Sequence, residues 1–220
     1  MGRPPSPQGT KAPEAVIPVV FPAYRITVTT PKVKVDLIPG LDIDNFTIEG
    51  TKQRVENLGH AGVLILRGQD GMTKYYEYGR YDAAGLGMVR NVRIPNVKMG
   101  DNGYPTRESL ANVLREISHK SGHNGRISAG YIAAPGGFLK MRDFAEQRKR
   151  ANTQPSRTPY SITGNNCLTF AIEVAAAGDI EMPSYWDPRP NGYVGQLQDH
   201  FLDLDYDPRT RTFKLESIYP

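Results

Sequence analysis

The chain of 220 residues has one cysteine, Cys167, which rules out any intramolecular disulfide. A chain of this length buries enough apolar surface to fold without a disulfide or a structural metal. It also lacks a run of the about 20 apolar residues that a membrane helix requires. Its longest apolar runs, residues 15–21 and 62–66, are strand-sized. The segment from Met1 to Pro5 has no apolar signal core; the expectation is a chain that is cytoplasmic when made, or exported by a machine that reads no cleavable signal. Internal repeats are missing. The glycine turns at residues 100–103 and 135–137 lack phosphate-loop spacing. The net charge is +4 and the isoelectric point near 9.1. Apart from Arg148, Lys149 and Arg150, which read as a solvated helix face, the cations alternate with acids. That balance is a weak argument for nucleic acid and suits approach to an anionic polymer such as a cell wall.

What is present reads as an α+β chain. Six prolines between Pro4 and Pro22 predict an extended arm over residues 1–22. Residues 23–220 then form one domain. Alternation predicts strands over 24–30 and 32–38, with a turn at Pro39 and Gly40. The clearest unit is a hairpin: residues 60–66 out, Gln69, Asp70 and Gly71 turning, residues 73–78 returning. Residues 89–94 and 126–133 read as further strands, as does the short stretch 212–215. Leu110, Val113, Leu114 and Ile117 fall on one stripe of a helix that starts after Thr106 and stops at Gly122. A second amphipathic helix covers 138–151. A third begins at Cys167, capped by Asn165 or Asn166, and ends at Gly178.

Cys167 is the residue with chemical promise. Unpaired N–H groups at a helix start carry partial positive charge, which favours a thiolate and could hold an oxyanion. His60 heads the first hairpin strand between Gly59 and Gly62, and a histidine presented from a strand is what a cysteine nucleophile needs as base. Glu77 on the returning strand could reach the second ring nitrogen and fix the tautomer. Which returning residue faces His60 depends on the hairpin register.

The residues around His60, the run from Tyr75 to Tyr81, and the run from Tyr160 to Ala171 with Asn166 before Cys167 resemble the circularly permuted branch of the papain-like superfamily. That branch holds NlpC-type hydrolases, PPPDE peptidases and lecithin:retinol acyltransferases. The resemblance spans residues 58–178. It implies a permuted papain-like fold, a small antiparallel sheet packed against several helices. It also implies Cys167 as nucleophile, His60 as base and Glu77 as third member, with Asn165 and Asn166 near the oxyanion. Some relatives carry histidine as the third member; here Glu77 or a nearby tyrosine takes that place. No cofactor or metal is implied. The stretch 60–82 further resembles bacterial type VI secretion effectors. From this follow a secreted antibacterial toxin, an amide of the peptidoglycan stem peptide as substrate in the target periplasm, a cognate immunity protein and a secretion-machine partner. The alternatives are a protease, deamidase or acyltransferase acting on a protein or lipid of the target cell, or a non-catalytic papain-like binding module.

Other features carry less. His119 and His123 have i, i+4 spacing, but Gly122 breaks the helix and two ligands make no metal site. His200 reads as surface, Tyr185 and Trp186 as core, and Asp42 and Asp44 as turn-forming residues.

Overall fold

The computed structural model describes residues 14–24, 26–29, 33–35, 46–48, 52–55, 59–82, 86–161, 164–184 and 189–216. The turn at Pro39 and Gly40, Asp42, Asp44, Tyr185 and Trp186 lie outside them, as do residues 1–13 of the expected arm.

In chain order the elements are β1 (Ala15–Phe21), β2 (Ile26–Thr29), β3 (Val33–Val35), β4 (Phe46–Ile48), β5 (Lys52–Val55), β6 (His60–Leu66), β7 (Thr73–Gly79), β8 (Met88–Val92), α1 (Arg107–Ser121), β9 (Ile127–Ala133), α2 (Phe138–Arg150), α3 (Cys167–Ala177), α4 (Pro190–His200), β10 (Leu202–Asp207) and β11 (Thr212–Leu215). Seven strands form one antiparallel sheet in the order β11-β10-β9-β1-β6-β7-β8. The strands β2 and β5 pair separately, as do β3 and β4.

Both faces of the sheet are covered. Ala15, Ile17, Val19 and Phe21 of β1 point to the α1 face, where they meet Leu110, Val113, Leu114 and Ile117. Val16 points the other way, into a cluster with Phe138 and Met141 of α2 and Phe170, Ala171 and Val174 of α3. Val20 joins Leu168 of α3 and Tyr193 and Leu197 of α4. This is the alternation of a strand whose two faces are both buried.

That strand corrects the reading of residues 15–22 as an arm. Instead of leaving the sheet, Ala15–Phe21 forms its centre, and every residue of it is buried. Pro18 is tolerated there because β1 pairs with β6 along its whole length, whereas its pairing with β9 involves Ala15, Val16, Val19 and Val20 and skips Ile17 and Pro18. The missing N–H thus falls at a gap in the ladder. Burial of five Val, Ile and Phe side chains, each worth roughly 1.5–3 kcal/mol, outweighs one lost ladder bond.

Two further features concern the helices. The segment Pro190–His200 is helical although it carries Gly192 and Gly195; Pro190 suits the first helical position, and burial of Tyr193 and Leu197 overrides the weak propensity. Thr106 does precede α1, but it makes no side-chain cap bond; its hydroxyl donates to Ser109 Oγ at 2.9 Å.

Candidate functional site

The hairpin register decides what stands behind His60. Gly62 lies opposite Glu77 across β6 and β7. His60 and Gly62 are two apart, so His60 and Glu77 are diagonal neighbours on one face, within reach of long side chains. Glu77 Oε2 lies 3.4 Å from His60 Nε2. The Tyr81 hydroxyl lies 3.5 Å from the same nitrogen. The Phe21 ring stacks on the imidazole with centroids 6.1 Å apart and planes 10° from parallel, and the Tyr24 ring packs at 5.1 Å. His60 is 6% exposed and Glu77 1%. The two glycines make room for protein groups. A Cβ at Gly62 would meet the Tyr75 hydroxyl at 2.2 Å; one at Gly59, whose φ is +72°, would meet Asn191 Oδ1 at 2.6 Å.

Cys167 is the first residue of α3 and is 1% exposed. Its place is set by a capping box. Asn166 Oδ1 accepts from the N–H groups of Leu168 and Thr169, each at 2.9 Å, and Thr169 Oγ1 accepts from Asn166 N–H at 2.9 Å. Asn165 braces the preceding loop: its Nδ2 donates to Tyr78 Oη at 2.7 Å and to the carbonyls of Pro159 at 2.9 Å and Thr158 at 3.3 Å, while its Oδ1 accepts from Arg148 at 3.2 Å. These bonds let both asparagines brace the start of the helix and the loop before it.

The thiol and the imidazole meet. His60 and the Ala61 N–H act on the Cys167 sulfur at close range, and the Tyr160 hydroxyl approaches it at 3.9 Å. Cys167 N–H also points at that hydroxyl. Burial would push the thiol up. The His60 hydrogen bond and charge, with the Ala61 N–H and Tyr160, bring it below its ordinary value instead. Burial would depress His60, but Cys167 and Glu77 lift it to about 9. Burial would raise the Glu77 carboxyl; His60, Ser121 and Arg90 hold it below the usual range. These directions favour a thiolate beside an imidazolium backed by a carboxylate. Burial, followed by the Cys167 charge, raises Tyr160, so it remains a protonated donor.

Beyond an unnumbered tyrosine near Glu77 as the other candidate for third member, sequence reasoning assigned no role to Tyr160, Tyr81, Tyr24 or Arg90. Tyr160 and Tyr81 belong to the quoted motif runs, but an aromatic in such a run is ordinarily core. Arg90 is visible only through the β7–β8 register, which sets it opposite Glu77. His119 and His123 do not converge: His119 Nδ1 meets Asn124 Oδ1 at 3.1 Å, and His123, with φ +51°, meets the Tyr24 hydroxyl at 3.1 Å. Among the described residues no cluster of three or more His, Cys, Asp and Glu side chains could hold a metal ion, and no helix is long and apolar enough to cross a membrane.

A family model described as type VI secretion system effector TseH-like matches residues 16–182. A solved structure, described as the crystal structure of the type VI secretion system effector TseH, is similar over 94% of this chain and 99% of its own, with 32% identity and a TM-score of 0.72. No curated protein matches the sequence.

Proposed function

The chain belongs to the TseH-like family of type VI secretion system effectors, and on that premise we propose that this secreted effector is a cysteine hydrolase with a permuted papain-like fold. The observation that carries the reading is the electrostatic coupling of Cys167 with His60, far apart in the chain, with Glu77 3.4 Å behind the imidazole. Glu77 and Tyr81 both approach Nε2, which leaves Nδ1 for the thiol. In this reading the Cys167 thiolate attacks an amide carbonyl. Cys167 N–H and the Tyr160 hydroxyl hold the oxyanion in place of each other. His60 passes its proton to the leaving amine, then takes one from the water that resolves the thioester. Asn165 and Asn166 keep the helix start in position.

The substrate we propose is an amide of the peptidoglycan stem peptide in the target-cell periplasm. The mildly basic chain suits an anionic cell wall, and the effector family implies an immunity partner and a secretion-machine partner. Purified protein incubated with sacculi is expected to release new amino groups, and Cys167→Ala is expected to release none. Intact sacculi, together with Cys167-dependent toxicity of a cytoplasmic form and none from a periplasm-directed form, would reject this substrate.

A further inference from the structure

Behind the dyad lies a charge that the reaction as written does not use. Arg90, on β8, stands directly across from Glu77. Its Nη1 lies 3.4 Å from Glu77 Oε1, the oxygen that His60 does not take. Its guanidinium also lies over the Tyr81 ring, 4.7 Å from the centroid. Tyr81 in turn reaches Glu77 and His60 Nε2. The four side chains close a ring around the outer nitrogen of the imidazole. Glu77 is 2% exposed at its side chain, whereas Arg90 is 48% exposed and Tyr81 38%, so Arg90, in direct contact with the carboxylate, lies on its solvent side together with Tyr81.

We propose that Arg90 is a positioning residue for the dyad: it seals the Glu77 carboxylate from water and pins the Tyr81 ring, so that Glu77 keeps its full charge on His60. The inference rests on the hydrolase reading above. Two effects of Arg90 oppose each other. Its positive charge disfavours imidazolium, and its cover strengthens the carboxylate that favours it. The first acts through a half-exposed group that solvent screens, at second hand. The second acts through a buried carboxylate in direct contact, where admitting water costs most. Cover therefore dominates. The groups that face His60 from every side are Cys167, Glu77, Tyr81 and Tyr24, with the apolar Phe21 ring; Arg90 touches it only through Glu77 and Tyr81.

The test is an NMR titration of histidine-labelled full chain. His60 is assigned by His60→Gln, and His119, His123 and His200 serve as controls for the fold. In the native chain His60 is expected to titrate near pH 9. Arg90→Ala is expected to lower that midpoint by about one unit, since water now screens Glu77. Arg90→Met keeps the cover and loses the charge, and its midpoint is expected to stay at the native value or rise slightly. The control histidines stay put in both. An unchanged or raised midpoint in Arg90→Ala overturns the inference, as does an equal fall in Arg90→Met. A native midpoint below 7 overturns the hydrolase reading first, and the inference with it. Should Arg90→Ala move the control histidines, Arg90→Ser against Arg90→Gln gives the same contrast of open against covered carboxylate.

Discussion

Two helices of this molecule begin in different ways. Before α1, Thr106 offers no side-chain cap, and the helix is held by the apolar stripe that packs on β1. Before α3, Asn166 and Thr169 close a reciprocal box on the first turn. Packing fixes a helix along its length but lets its end fray. A cap fixes the end itself. The capped start is the one that carries Cys167, whose N–H and sulfur must hold their places against His60 and Tyr160. Where only stability is needed, burial suffices; where two atoms must meet to within a hydrogen bond, the chain adds local bonds.

The comparison breaks outright if the start of α3 is chemically ordinary. Cys167→Ala and His60→Ala are each expected to lower amide release from sacculi on the order of a thousandfold or more; near-native turnover in either would end the catalytic account. Next in size is Tyr160→Phe, expected to lower kcat about a hundredfold with little change in KM, because one oxyanion donor is lost. A KM effect alone would make Tyr160 a binding residue.

A pH profile sharpens the contrast between a buried inert thiol and a paired one. The fold raises His60 from 6.5 to about 9, so it favours imidazolium. The stabilisation that this confers is complete below about pH 6.5 and is lost as pH rises through about 9. Turnover, which needs that proton for the leaving amine, is expected to fall on the same alkaline limb. Glu77→Gln removes one support of imidazolium and is expected to move the limb to lower pH; a limb that stays put would take Glu77 out of the site.

The smallest effect tests the two helix starts directly. Asn166→Ala is expected to cost about 1–2 kcal/mol of stability and to slow iodoacetamide labelling of Cys167 at neutral pH. Thr106→Ala is expected to stay within about 0.5 kcal/mol with labelling unchanged. Urea midpoints and labelling rates measure both, and equal costs would mean that the capping box does nothing special.

Much of this was legible in the chain. The hairpin of β6 and β7, the stripe of α1 and the start of α3 at Cys167 all follow from local pattern. The alternation of Leu202, Leu204 and Tyr206 in β10 is a local pattern that the sequence reading passed over. The central place of β1 was not, because proline density is a local signal and ladder gaps are not. Nor was α4, where tertiary burial of Tyr193 and Leu197 decides against Gly192 and Gly195.

By itself the sequence determined which groups were available: one thiol behind an asparagine at a helix start, one histidine at the head of a strand, one carboxylate on the returning strand. Those choices rest on periodicity, capping and turn chemistry, which act over a few residues. Only the tertiary structure decided that they meet, that Glu77 lies diagonal to His60, and that Tyr160, Tyr81 and Arg90 close around them. Register and the approach of distant elements are set by burial over the whole sheet. A shift of one residue along β7 would turn Glu77 to the opposite face.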